Sequence, residues 1–376
     1  MPPAPRCPTP ATRSGFPTSS NIDPRCISHG PVHSCAPCFP CKGEALNRDQ
    51  TFRIGDVTIS GRVLTAPMSG VSDLPFRRAA SKLGAPYVVT EMVACETLAR
   101  GRPDVVRRAV GEGLPLMVVQ LAGREARWLA RGAAMAEASG AHIIDINMGC
   151  PAKEVTGGLS GSALMRDLDH AETLIEATVQ ATTRPVTLKM RLGWDDACRN
   201  APELAARAER CGVQAITVHG RTRQQFFKGP SDWRAIAEVK AATRLPVIVN
   251  GDILDDVSAR EALRQSGADA VMIGRGAYGK PWIAASVAQA LHSGEAMREP
   301  GLAERLAIVL DHFRDSLRFY GDALGLKTFR KHLGWYVENA PWPLSAQARR
   351  AAKSHLCQLR EPREIEAALV ALWGTA

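Results

Sequence analysis

From residue 60 onward the chain repeats one unit: a short apolar strand, a polar or glycine turn, then a helical pattern. The strands fall at Arg62–Ala66, Tyr87–Glu91, Leu116–Leu121, His142–Asn147, Val186–Arg191, Ala215–His219, Val247–Asn250 and Ala270–Ile273. The segments between them have helical spacing, as in Glu125–Ala138 and Asp169–Thr182. Gly140, Gly212 and Gly267 mark helix ends before the next strand. Eight such units in about 230 residues match an α/β fold of the (β/α)8 TIM-barrel type. A doubly wound open sheet is the alternative. It would normally carry a glycine-rich first turn, and no G-x-G-x-x-G opens a helix after the first strand.

Past residue 300 the strands stop. Ala303–Tyr320, Leu324–Glu338 and Ser345–Leu359 read as helices separated by Gly321 and by Pro341-Trp342-Pro343, and a short helix covers Pro362–Leu372. We expect residues 50–300 to form the barrel and 301–376 a smaller all-helical domain of about 75 residues. With 376 residues, 45% of them hydrophobic, the chain can bury both cores. Residues 1–45 are rich in Pro, Ser, Thr and Cys without periodicity, the composition of a disordered extension. Cys35, Cys38 and Cys41, with Cys26 and His33 nearby, have spacing that can ligate zinc or an iron–sulfur cluster. No second ligand pair stands at a standard distance, so no metal is expected. A translation start set too far upstream is an equally good account of this segment.

A formal charge of +9 favours a polyanionic partner, nucleic acid before membrane. The excess is thin: about +2 over residues 1–50, +4 over 51–300 and +3 over 301–376. An ordinary basic protein fits those figures as well. No apolar run reaches the length of a membrane span and no signal-peptide pattern opens the chain. The ten scattered cysteines fit a reducing cytoplasm.

In a TIM barrel, function belongs at the C-terminal ends of the strands. The fourth strand runs through Asp145 and Asn147, on one face by the period of two, into Met148-Gly149-Cys150-Pro151. Cys150 is therefore either a reactive thiol or a small buried cysteine. The first strand ends in Ala66-Pro67-Met68-Ser69-Gly70, a turn able to lie against a planar ligand, and Gln120 stands near the end of the third. The fifth sets Thr187, Lys189 and Arg191 on one face. A lysine inside a closed barrel needs an anion or an electron-rich ligand beside it. His219 ends the sixth strand, where a core histidine is the competing reading. Asn250-Gly251-Asp252 and Gly274-Arg275-Gly276 follow the seventh and eighth, the usual phosphate-binding slots of this fold.

Ala66-Pro-Met-Ser-Gly-Val-Ser-Asp-Leu-Pro-Phe76, Asp145-Ile-Asn-Met-Gly-Cys-Pro151, Leu188-Lys-Met-Arg191, His219-Gly-Arg221, Asn250-Gly-Asp252 and Ile273-Gly-Arg275 resemble the tRNA-dihydrouridine synthase family. The likeness is greatest to its bacterial B-type branch, once labelled as nitrogen-regulation proteins. It runs from about residue 52 to 340, with Ser69 where many members have alanine. The resemblance implies an FMN-containing barrel enzyme that reduces the C5–C6 double bond of a uridine in tRNA with NADPH or NADH, and we expect it to act as a monomer. It implies that Pro67, Met68, Ser69 and Gln120 line the flavin ring, with Lys189 at its N1/O2 edge and His219 also against it. Asn250, Gly251, Asp252, Gly274 and Arg275 would hold the phosphate and ribityl chain, and Asn147 and Arg191 would orient the uracil. Hydride would pass to C6 and a proton from Cys150 to C5, a thiol being a far better acid than a serine hydroxyl. The base would be flipped out of the tRNA, with Lys327, Arg330, Lys331, Arg349, Arg350 and Lys353 offering phosphate contacts. Two rivals stand: a flavoenzyme acting on a free pyrimidine, and a non-catalytic RNA-binding barrel.

Overall fold

The computed structural model describes residues 51–374. The extension at 1–45, with Cys26, His33, Cys35, Cys38 and Cys41, lies outside the described residues. A short antiparallel hairpin comes first, β1 (Phe52–Ile54) and β2 (Val57–Ile59), paired Ile54 to Val57. Eight strands follow: β3 (Val63–Thr65), β4 (Val93–Ala94), β5 (Val118–Ala122), β6 (Ile143–Met148), β7 (Val186–Arg191), β8 (Ala215–His219), β9 (Val247–Asn250) and β10 (Ala270–Ile273). They form one parallel sheet in the order β3-β10-β9-β8-β7-β6-β5-β4, each strand beside its neighbour in sequence except where β10 returns to β3. A hydrogen bond from Thr65 N–H to the Tyr87 carbonyl, 3.0 Å, joins β3 to the stretch leading into β4 and closes the ring. This order excludes the doubly wound alternative, whose strand sequence reverses at a switch point.

The strands are legible because parallel strands buried on both faces are nearly continuous apolar runs. β5, β6, β8 and β10 have their hydrophobic residues buried against the surrounding helices. The second strand departs from expectation. Regular pairing falls at Val93–Ala94, with an isolated bridge at Val89 to Val118, and not across Tyr87–Glu91. The reason is local: Gln120 N–H bonds to the Thr90 hydroxyl at 3.0 Å, so a side chain takes a partner that a ladder carbonyl would have.

The hairpin was not anticipated. Phe52, Ile54 and Ile59 are buried in the barrel core, and Gly55 abuts Pro185 and Gln214, which immediately precede β7 and β8. It therefore covers the N-terminal end of the barrel, opposite the end where the polar residues gather.

Four helices complete the chain, Leu302–Tyr320, Asp322–Asn339, Ala346–Gln358 and Pro362–Gly374. They share an apolar cluster that includes Val309, Phe313, Phe329, Leu333, Trp342 and Trp373. Residues 51–374 nonetheless belong to one compact unit. The contact with the barrel is polar as well as apolar. Lys82 pairs with Asp311 at 2.7 Å, Arg78 with Asp315 at 3.3 Å, and Tyr320 donates to Asp73 at 3.1 Å. Beside Asp73 the buried rings of His312 and His332 lie with centroids 4.8 Å apart. Asn339 donates to the Tyr278 carbonyl, and the Tyr278 and Trp335 rings stack at 4.2 Å. Among the described residues, no helix is long and apolar enough to cross a membrane.

Candidate active site

A cavity of about 810 Å³ opens at the C-terminal end of the barrel. The loop after β3 brings Pro67, Met68 and Ser69 to it; β5 brings Gln120; β6 and its turn bring Asn147 and Cys150. From the far wall come Lys189 and Arg191 of β7, His219 of β8, Asn250 with Gly251 and Asp252 after β9, and Gly274 with Arg275 after β10. All of the residues expected at the site thus line a single cavity. Parallel register explains the convergence, since it pairs Asn147 with Lys189, Arg191 with His219, and His219 with Asn250.

Cys150 sits half-buried on a turn held from both sides. Asn147 Oδ1 accepts from the N–H groups of Gly149 and Cys150 at 3.2 and 3.0 Å. The Cys150 carbonyl accepts from both the N–H and the hydroxyl of Ser162, at 3.1 and 2.8 Å. Gly161 makes that second clasp possible: its φ is +60°, and a Cβ there would lie 2.8 Å from the Cys150 oxygen. Burial pushes the thiol above its ordinary pKa, opposed by a backbone hydrogen bond and by the charges of Arg191 and Lys189. At neutral pH it is a thiol, able to donate.

Asn147 Nδ2 donates to Gln120 Oε1 at 2.7 Å, and Gln120 Nε2 donates to Asp145 Oδ2 at 2.6 Å. Asp145 Oδ1 takes the Thr187 hydroxyl at 2.6 Å. Burial raises this carboxyl to about 6, against the hydrogen bonds of Thr187 and Gln120 and the charge of Lys189.

Lys189 Nζ donates to Asn250 Oδ1 at 3.0 Å, and Asn250 Nδ2 donates to the Met272 carbonyl at 2.8 Å. Burial lowers the ammonium to about 8, with Asp145 pulling the other way. His219 is driven well below its ordinary value by burial, then by Arg191, Lys189, Arg221 and Arg275, and is neutral. Its Nε2 lies 3.1 Å from Arg221 Nη1. Asp252 holds two of these cations, pairing with Arg221 through one oxygen and with Arg275 at 3.1 Å through the other. The field across the cavity is therefore positive, which suits an anionic ligand.

Arg191 has a role that its place in the strand did not reveal. It is 1% exposed, its Nε donates to the Gly149 carbonyl at 2.8 Å, and its Nη1 to the Thr222 and Phe226 carbonyls at 2.9 and 2.8 Å. In this state it braces the Cys150 turn and the loop after β8. Two members of the basic set expected on the helical region are likewise engaged. Arg349 donates to the carbonyls of Val337, Ala340 and Trp342, and Lys353 pairs with Glu338.

Sequence reasoning missed Phe227, which lies under the guanidinium groups of Arg191 and Arg275 at 5.5 and 5.0 Å. It also missed Tyr278 at the cavity wall. Two adjacent aromatics in the polar stretch Gln224-Gln225-Phe226-Phe227-Lys228 were the available signal for the first. Arg221 and Asp145 were visible in the quoted motifs but had no partner until the register was known.

The family model described as "Dihydrouridine synthase (Dus)" matches residues 64–371. A "Probable tRNA-dihydrouridine synthase" of Rhodobacter capsulatus is 54% identical over 304 residues, covering 80% of this chain and 94% of that one. Its namesake in Rhizobium leguminosarum bv. phaseoli is 50% identical, covering 83% and 95%. A "tRNA-dihydrouridine synthase B" of Xanthomonas axonopodis pv. citri is 45% identical, covering 77% and 88%.

Proposed function

The chain belongs to the dihydrouridine synthase family, and on that premise we propose that it reduces the C5–C6 double bond of a uridine in tRNA, with NADPH or NADH as reductant. What supports the reading at the level of chemistry is one observation: Cys150, a protonated thiol, shares a positively charged cavity with Asn147 and Lys189. That cavity fits flavin mononucleotide. Its volume is that of a cofactor site, its loops after β9 and β10 present Gly251, Gly274 and Arg275, and its cations outnumber the carboxylate that pairs with them. Pro67, Met68, Ser69, Gln120, Lys189 and His219 would lie against the ring, and Asn250, Gly251, Asp252, Gly274 and Arg275 against the ribityl phosphate. When bound, such a group supplies the hydride that goes to C6 of the uracil.

The protein's own part is the other half of the addition. Cys150 delivers its proton to C5 as the S–H bond breaks, and solvent returns a proton to the thiolate. Asn147 and the Arg191-braced turn keep that thiol in place. Lys189 offsets negative charge that builds on the bound rings. The neutral His219 is an acceptor or donor there, not a charge. The base must leave the tRNA stack to enter the cavity, a cost of a few kcal/mol, and cations such as Lys327, Arg330 and Arg350, which are exposed, would offset it through phosphates. The setting we infer is cytoplasmic, with the protein acting as a monomer.

Nucleoside analysis of tRNA from a deletion strain tests this. Dihydrouridine should vanish at one position and return with the wild-type gene. Cys150→Ala should slow its formation by about 10²–10⁴-fold, and the purified protein should be yellow. Unchanged dihydrouridine at every position, or a colourless protein that cannot take up flavin, would sink the reading.

A further inference from the structure

The turn that carries Cys150 is held by an amide, and an amide has two orientations. Asn147 accepts from two backbone N–H groups at 3.2 and 3.0 Å; turned over, it would set its own NH2 against two donors. Nothing in Asn147 makes the choice. Its Nδ2 contacts a second amide, Gln120, which has the same ambiguity and passes one bond on to Asp145. The ends of this chain are not ambiguous. Backbone N–H groups can only donate, and an ionised carboxylate can only accept. Two amides between such ends satisfy every bond in one polarity alone. All three side chains are more than nine-tenths buried, so water cannot readily substitute for a lost partner.

We propose that Asp145 is a positioning residue for the proton-donating turn: its carboxylate, acting through Gln120, fixes Asn147 with its carbonyl oxygen toward Gly149 and Cys150. This rests on the reading of Cys150 as the acid. Asp145 is anchored for the task by Thr187, its neighbour on β7, whose hydroxyl holds the second oxygen at 2.6 Å. Gln120, expected only to line the flavin, here gains a second duty that uses both ends of its amide.

Exchanging the two groups tests the proposal. Gln120→Glu alone sets carboxylate oxygens against each other where donor and acceptor now stand 2.6 Å apart. Adding Asp145→Asn restores every bond. The new amide donates to the new carboxylate and still accepts from Thr187, and the carboxylate's other oxygen still accepts from Asn147. Two quantities are read on the same flavin-loaded preparations. One is the rate of dihydrouridine formation at saturating tRNA. The other is the pH profile of Cys150 alkylation by iodoacetamide, followed peptide by peptide by mass spectrometry. Gln120→Glu should slow turnover by about tenfold or more and displace the alkylation profile. The double variant should bring the alkylation profile back to that of wild type and recover part of the lost rate, the remainder being set by the contact of residue 120 with the flavin. A double variant as impaired as Gln120→Glu overturns the proposal, as does a Gln120→Glu protein with the wild-type Cys150 profile. Should Gln120→Glu not fold, Gln120→Leu cuts the chain without adding charge, and an unchanged Cys150 profile there overturns it equally. The alkylation arm needs no tRNA chemistry. A wild-type protein that makes no dihydrouridine would therefore sink the proposed function, while rescue of the Cys150 profile by the double variant would still uphold the relay.

Discussion

Lys189 donates to a neutral amide and, among the described residues, has no carboxylate within ion-pair distance. Burial has lowered it to about 8, so it is charged below that pH and loses its charge as the pH rises through it. An anionic planar ligand should therefore bind more weakly in alkali. Titration of the flavin-free protein with FMN, followed by quenching of flavin fluorescence, should show affinity falling by up to about tenfold per pH unit above 8. Lys189→Met should flatten that profile; a variant that tracks the wild type would assign the titration elsewhere. This residue and the other expected ones were legible in sequence because each stands within two residues of the C-terminal end of a strand or just past it, where barrel geometry forces convergence. Asp145 was legible only as a face. Its meaning depends on Gln120 lying opposite it in register, and pairing register across a sheet is not written in either strand alone. Phe227 and Tyr278 were hidden for another reason: loop conformation follows no periodicity that a pattern can reveal.

At the scale of elements, seven barrel strands fall within two residues of where hydrophobic runs place them, and the helices before β6, β8 and β10 end within two residues of Gly140, Gly212 and Gly267. The misplaced second strand traces to one hydroxyl, Thr90. The hairpin Phe52–Ile59 was overlooked although Gly55-Asp56 between two alternating runs is a turn signal. Where the helical region meets the barrel, Gly279 has φ of +66°, and a Cβ there would lie 2.4 Å from the Trp335 carbonyl oxygen. Gly279→Ala must part the loop after β10 from the helix Asp322–Asn339 and disturb the Tyr278–Trp335 stack. We expect a loss of about 1–3 kcal/mol, seen as a lower urea midpoint together with altered tryptophan emission. A midpoint unchanged from wild type would show that the junction gives way there without cost.

For the molecule as a whole, stability in acid is bound up with the junction of the barrel and the helical region. His312 is lowered to about 3 by burial, and its Nδ1 is 2.9 Å from the Tyr336 hydroxyl. Its unfolded form takes up a proton near pH 6.5 while the folded form does not. The stability it lends is thus present above 6.5 and is lost as the pH falls from there toward 3, at up to about 1.4 kcal/mol per unit. Asp73, raised to about 6, binds its proton on folding and works in the opposite sense over part of that range. His312→Asn should therefore lose less thermal stability than wild type between pH 7 and 5, compared by calorimetry within each protein. An equal loss in both would place the acid sensitivity elsewhere. The hairpin has a consequence at this scale too. Together with the side chains packed inside the barrel, it leaves the cavity to open at the C-terminal ends of the strands. On the proposed reading, reductant and flipped nucleotide come to the same mouth and take their turns there.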